Sequence, residues 1–287
     1  MKIGIMFANG ARGAEPEHAA VLARDAERLG FESLWAVQHV VMPIGHASSY
    51  PYSDSGTVPG GTAVAIPDPL VWLAWAGALT SSITLATGVL VLPQQHPLVV
   101  AKQVATLDRL TGGRVVLGLG AGWLREEFDA LGAEFDGRGS RMDEAIEAMR
   151  RAWMPGPAEF HGEQISFGPV DVEPKPIRSV PIVIGGHSPA AARRAGRLAD
   201  GFFPLACQGD RLVELVTAVR RAALDAGRDP AAIEVTVDAP KNQADAEVHM
   251  DLGVTRVVVN APHVSTGDLS SGLEQRLSLV RERFANT

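Results

Sequence analysis

The sequence predicts an α/β fold, a (β/α)8 TIM barrel. Three observations predict it. Strand and helix patterns alternate eight times along 287 residues, the length such barrels need. The turn after the first strand, "FANGARGAE", offers Gly10 and Gly13 but not the full glycine fingerprint of a doubly wound dinucleotide fold, and no acidic residue follows the second strand. The polar, glycine-rich residues gather at the C-terminal ends of the strands, the rim where barrels carry function.

The elements follow in order. "KIGIMFA" is an apolar strand and "PEHAAVLARDAERLG" an amphipathic helix stopped by Gly30. "ESLWAV" is the second strand and "DPLVWLAWAGALTSS" the second helix. "ITLATGVLVLPQQHP" is the third strand, with Gly88 in its middle, where glycine costs about 0.5–1 kcal/mol relative to alanine. "PLVVAKQVATLDRLTGG" is the third helix and "RVVLGLGAG" the fourth strand. "SRMDEAIEAMRRAWM" is a helix expected to be capped by Ser140. "VPIVIGG", "GFFPLA", "IEVTVDAP" and "RVVVNAP" supply strands five to eight. Their helices are "SPAAARRAGRLAD", "DRLVELVTAVRRAALDAG", "KNQADAEVHMDLG" and "SGLEQRLSLVRERF". No linker or internal repeat divides the chain, so one domain over 1–287 is expected. Two segments exceed ordinary loop length. Residues 38–68 leave the functional rim after strand 2 and are expected to form a lid or substrate wall. Residues 154–180, before strand 5, contain a hairpin centred on Gly162 and are expected to be structural.

Composition excludes several functions. Net charge is −7 and lysine occurs only at positions 2, 102, 175 and 241, so no basic patch for nucleic acid exists. The longest apolar helix is too short to cross a bilayer. The N-terminus runs straight into a strand without an apolar region of signal-peptide length. Cys207 is the only cysteine, which fits a reducing cytoplasm and an inert buried thiol. No lysine sits at a strand end, no His-x-His or acidic cluster offers a metal site, and no G-x-S-x-G elbow appears.

What remains at the rim is glycines, amides and histidines, among them Asn9, Gln38 and Asn260, with Asp238 and His263 beside them. His39, ending strand 2, is the candidate acid or base. "IGGHSP" places Gly185, Gly186, His187 and Ser188 at a strand-to-helix turn, either a phosphate cradle or an ordinary capped turn. "GLGAGW" ends strand 4 in the same style with Gly120, Ala121, Gly122 and Trp123; the tryptophan either stacks on a flat ring or plugs the mouth. Glu126 and Glu127 read as a solvated turn, His96 as a structural turn residue, and His18, His161 and His249 as surface residues.

"ESLWAVQHVVMP", "LATGVLVLPQQHPLVVAKQVATLDRLTGGRVVLGLGAGWLREEFDALG", "RGSRMDEAIEAMR" and "PIVIGGHSPAAARRAGRLADGFFP" together resemble the bacterial luciferase-like monooxygenase superfamily, and within it the branch of coenzyme F-420 (5-deazaflavin) dependent oxidoreductases. The match runs from about residue 30 to 205. The resemblance implies an F-420 cofactor, with FMN as the alternative. Its ring would be backed by a non-prolyl cis peptide at Gly88–Val89 in a bulged third strand. It implies cofactor contacts at Gly120–Gly122 and Gly185–Ser188, and His39 near the reactive face. Loop 40–67, with Tyr50 and Tyr52, would wall a small-molecule substrate. A sugar-phosphate dehydrogenase of the superfamily carries a catalytic glutamate where Trp123 stands, so its substrate cannot be carried over. The resemblance also implies a homodimer, which exposed Trp72 and Trp75 would fit. An FMN-dependent monooxygenase and a non-catalytic flavin-binding protein are the rival readings.

Overall fold

The structure, a computed structural model, describes residues 1–285. Its strands are β1 (Lys2–Met6), β2 (Ser33–Ala36), β3 (Thr84–Thr87), β4 (Leu90–Val91), β5 (Val115–Gly120), the hairpin β6 (Ala158–His161) and β7 (Ser166–Val170), β8 (Ile182–Gly185), β9 (Gly201–Phe203), β10 (Glu234–Asp238) and β11 (Arg256–Asn260). The sheet runs β3-β2-β1-β11-β10-β9-β8-β5-β4, and β3 also pairs with β5, so it closes on itself. All pairs in it are parallel. Because β3 and β4 share one position, the wall is an eight-position (β/α)8 barrel.

The helices are α1 (Pro16–Leu29), α2 (Pro69–Ala78), α3 (Pro97–Leu110), α4 (Arg125–Ala130), α5 (Arg138–Trp153), α6 (Pro189–Leu198), α7 (Gly209–Asp225), α8 (Gln243–Asp251) and α9 (Leu269–Ala285). Proline opens α1, α2, α3 and α6, where its missing N–H costs no hydrogen bond. Gly30 ends α1 in the left-handed region, as its position predicts. The short α4 was not visible as a separate element. The Ser140 cap is not formed: α5 starts earlier, after Gly137 at φ 69°, and the Ser140 hydroxyl donates back to the Gly137 carbonyl. The hairpin forms around Gly162 as expected. Its turn docks on α5 through Glu144, whose carboxylate accepts from the N–H groups of Glu163, Gln164 and Ile165.

Most of the core lies between strands and helices. A second cluster fills the barrel bore: Met6, Trp35, Val37, Ala86, Val116, Val183, Phe203 and Val258. At the N-terminal end the bore is closed by Arg256, which is buried, donates two 2.8 Å bonds to Glu32 and also reaches Glu234. Three surface expectations fail. His18 lies on the Leu22–Ala26 face of α1 and is buried there. His249 is buried on α8. Trp72 is 5% exposed, its indole donating to the Gly13 carbonyl, while Trp75 is half exposed. His161 is exposed as expected. Among the described residues no helix is long and apolar enough to cross a membrane.

Candidate active site

The third barrel position explains the mid-strand glycine. Ladder pairing stops at Thr87 and resumes at Leu90, and the Gly88–Val89 peptide between them is cis. A Cβ on Gly88 would come within 3.1 Å of both the Met6 sulfur and the Trp35 ring. The Gly88 N–H still reaches the Ala36 carbonyl, and beyond the break the Gln38 side chain accepts from Val91 N–H at 2.7 Å. On the other side the Thr87 hydroxyl donates to the Gly118 carbonyl, and a Cβ at Gly118 would meet the Thr87 carbonyl at 1.9 Å. The bulge therefore requires glycine at 118, where the obstacle is backbone, and leaves little room beyond glycine at 88.

Val89 also accounts for two rim glycines. A Cβ on Gly120 would fall 2.6 Å from its Cγ2, and one on Gly185 would fall 2.4 Å from its Cγ1. Their missing side chains make room for Val89 first. Gly122 and Gly186 sit at φ 83° and 113°, a region that glycine adopts freely. Ser188 caps α6, accepting from Ala191 N–H at 3.1 Å, and Pro189 follows it.

These residues surround a cavity of about 670 Å³, within the range of small-molecule and cofactor sites. Gly88, Val89, Gly120, Ala121, Gly122, Trp123, Gly185, Gly186, His187, Ser188 and His39 all line it. The structure thus brings the sequence-derived candidates to one place. Arg138 and Arg194 also line it, beyond the glycine turns. Arg138 stacks 3.6 Å over Phe135 and donates to the Gly122 carbonyl; Arg194 donates to the Gly139 carbonyl and pairs with Asp143. Sequence reasoning missed both, although Arg138 opens the "RGSRMDEA" stretch quoted above.

Glu127, read as a solvated turn residue, is buried and holds His39. Its Oε2 lies 3.0 Å from His39 Nδ1, and its Oε1 accepts from Val40 N–H at 2.7 Å and Val41 N–H at 3.3 Å. Burial pushes the carboxyl up, but the hydrogen bond and charge of His39 and the Val40 N–H outweigh it and hold the group below its ordinary value. An ionised Glu127 can only accept, so Nδ1 carries a proton toward it, and in the neutral form of the ring Nε2 holds the lone pair. The adjacent Glu126 is no free turn residue either. It accepts from Ala47 N–H at 2.7 Å and Ser48 N–H at 3.1 Å. Two neighbouring carboxylates on α4 thus pin the start of the long loop.

That loop crosses the mouth. Edge-to-face contacts run from His39 to Trp123, from Trp123 to Tyr50, from Tyr50 to Tyr52 and from Tyr52 to His187, with centroids 4.8–5.9 Å apart. Burial, then the neighbouring Tyr50, pushes the Tyr52 phenol up to about 12, so it stays protonated. Phe7, Ile66 and Leu205 pack on the bore cluster and line the cavity. Phe7 holds φ 57°, an uncommon, costly conformation for a bulky residue and one that clusters at functional sites.

Other rim candidates serve the backbone. Asn9 bonds Val37 on both sides and donates to the Pro67 carbonyl, tying the loop's far end to β1. Asp238 accepts from Ala206 N–H, outside the cavity lining. Asn260 and His263 line the cavity but are exposed. His96 caps α3. Cys207 is buried, which raises its thiol pKa.

Comparison with known proteins agrees with this geometry. The family model described as "Luciferase-like monooxygenase" matches residues 1–251. An uncharacterized protein of Mycobacterium tuberculosis is 35% identical over 83% of this chain and 83% of its own length. A protein of Kineococcus radiotolerans named F420-dependent glucose-6-phosphate dehydrogenase is 29% identical over 93% of this chain and 75% of its own. Among solved structures, the coenzyme F420 dependent tetrahydromethanopterin reductase of Methanopyrus kandleri superposes with a TM-score of 0.73 at 20% identity. That match covers 96% of this chain and 97% of that one, a likeness of fold.

Proposed function

Given that this chain belongs to the luciferase-like monooxygenase family, whose model spans residues 1–251, we propose that it is an oxidoreductase transferring a hydride between coenzyme F-420 and a small organic substrate. The 29% identical relative named as F420-dependent supports the deazaflavin over FMN. The observation that carries the redox reading is the cavity-lining main chain at Gly88–Val89, with Gly120 and Gly185 packed around the Val89 side chain and with His39, held by Glu127, on the same cavity.

The residues present fit such a cofactor. Gly88 and Val89 offer a flat backbone wall without side-chain polarity. Gly120–Gly122 and Gly185–Ser188 would hold the parts beyond the ring, with Arg138 and Arg194 giving that end a positive potential. The deazaflavin supplies hydride transfer, a chemistry no side chain performs. His39 Nε2, with its lone pair fixed by Glu127, takes the proton from a substrate hydroxyl or, once protonated, returns one to a substrate oxygen. Trp123, Tyr50 and Tyr52, in edge-to-face contact across the mouth, would limit the access of water to the bound ring.

Titrating the purified chain with F-420 and with FMN, followed by cofactor fluorescence, tests this. F-420 binding at least about tenfold tighter is expected. Preference for FMN would favour the reduced-flavin monooxygenase, and tight binding without turnover over a broad substrate screen would favour a flavin-binding protein. We also propose a homodimer joined through α2 and α3, where Val71, Trp75, Val99 and Leu110 stand exposed.

A further inference from the structure

We propose that Tyr52 is a latch: resting on His187, it holds the tip of the long loop over the two glycine turns, and it lifts to let the cofactor in or out; this rests on the redox reading above. The tip is residues 49–57. Tyr50 N–H donates to the Gly56 carbonyl and Gly56 N–H to the Ser53 carbonyl, and the hydroxyls of Ser53, Ser55 and Thr57 bond one another in series. Among the described residues no hydrogen bond ties this tip to the rim. Ser49 and Pro51 are exposed, whereas Tyr50 and Tyr52 turn inward and are half-buried.

Ring contacts fasten the tip instead. Tyr50 meets Trp123 with centroids 5.4 Å apart, just past the end of β5, and Tyr52 meets His187 at 4.8 Å, just past the end of β8. β5 and β8 are paired neighbours, with Leu119 opposite Ile184, so the tip spans the two turns that would hold the cofactor beyond its ring. The two tyrosines therefore differ in role. Tyr50 sits on Trp123, which also touches His39, and so belongs to the substrate side. Tyr52 closes on the cofactor side. There His187 lines the cavity with its Nδ1 buried and without a hydrogen-bond partner, an atom that an oxygen of the cofactor's side chain would satisfy. An edge-to-face contact biases a closing equilibrium only about two- to tenfold, so the tip is held without being locked. Because the contact joins two parts of the chain, its loss eases opening for entry and exit alike.

The test is stopped-flow fluorescence of F-420 binding and release by the full chain, with FMN run in parallel. Tyr52→Ala should raise the association and dissociation rate constants together, each by about two- to tenfold, leaving Kd within about twofold. Tyr52→Phe, which keeps the ring, should stay near the native rates. In a His187→Ala background Tyr52→Ala should add less than about twofold, since the contact is already gone. Unchanged rates in Tyr52→Ala would overturn the latch, as would faster dissociation with unchanged association, the mark of a direct cofactor contact. A second readout needs no ligand. Tyr50 and Tyr52 are the chain's only tyrosines, so labelling with 3-fluorotyrosine gives two fluorine NMR signals, which Tyr52→Phe assigns. His187→Ala should move the Tyr52 signal more than the Tyr50 signal; an unmoved Tyr52 signal would overturn the latch. The two readings fail separately. A chain that binds F-420 at rates indifferent to Tyr52 loses the latch alone. One whose Tyr52 responds to His187 but which binds neither F-420 nor FMN loses the redox reading, and the cofactor gate with it, although the contact stands. If Tyr52→Ala misfolds, Tyr52→Leu replaces it, filling the space without an aromatic edge.

Discussion

Replacing Glu127 with Gln should invert the tautomer of His39. The carboxylate is buried, accepts from Val40 N–H at 2.7 Å, and lies 3.0 Å from His39 Nδ1. Glutamine keeps the size, and its carbonyl can keep the Val40 bond. Its amide nitrogen then faces His39 as a donor, so Nδ1 must accept and the ring proton moves to Nε2. A hydrogen bond to a charged group contributes about 1.5–3 kcal/mol. At about 1.4 kcal/mol per tenfold, the native pair biases the tautomers roughly ten- to a hundredfold. Nitrogen-15 NMR of histidine-labelled protein at about pH 8, where an ordinary imidazole is neutral, reads the two tautomers directly and needs no substrate. The expected spectrum shows Nδ1–H in the native chain and Nε2–H in the variant. Loss of the lone pair at Nε2 should also lower turnover by about 10²-fold, the lower end of general acid–base contributions, with F-420 affinity unchanged. A native ring already protonated at Nε2, or a variant spectrum identical to the native one, would falsify the role assigned to Glu127.

Three further outcomes are expected. Gly185→Ala puts a Cβ 2.4 Å from Val89 Cγ1 and should destabilise the fold by about 1–3 kcal/mol in denaturant unfolding; pairing it with Val89→Ala should recover most of the loss. His249 is buried with neither ring nitrogen partnered, and burial lowers its pKa below 6.5. The unfolded chain therefore binds more protons than the folded one just below that value. Stability should be flat above about pH 6.5 and fall as pH drops further, with His18 contributing in the same direction and His249→Phe flattening the fall. Trp75→Glu should convert a dimer to monomer in light scattering without changing the circular dichroism.

The barrel was legible because its signals are local. Apolar runs, prolines at helix starts and Gly30 at a helix end each act within a few residues. The position of the strand-3 bulge was legible at Gly88, where a side chain would crowd Met6 and Trp35. Glu127 was not, because its partner His39 is 88 positions away and "REEF" looks like any polar turn until the barrel closes. The role of Gly120 and Gly185 also escaped reading, since the side chain they accommodate belongs to Val89 on a different strand. Burial of His18 had a visible sign: it shares the Leu22 and Ala26 spacing along α1.

The long loop is hydrogen-bonded to the rim near its two ends, to Glu126 and Glu127 at its start and to Asn9 and Ala11 at its close, and Tyr50 and Tyr52 also rest on Trp123 and His187. Between them, Tyr50 bonds Gly56 and the serines 53 and 55 bond one another, so the span largely organises itself. Doubling the length of such a tethered span costs only about 0.6 kcal/mol in closure entropy. Residues 53–64 are therefore a natural cassette for grafting: a segment swapped there would re-shape the far wall of the cavity while the contacts of Tyr50 with Trp123 and of Tyr52 with His187 stay in place.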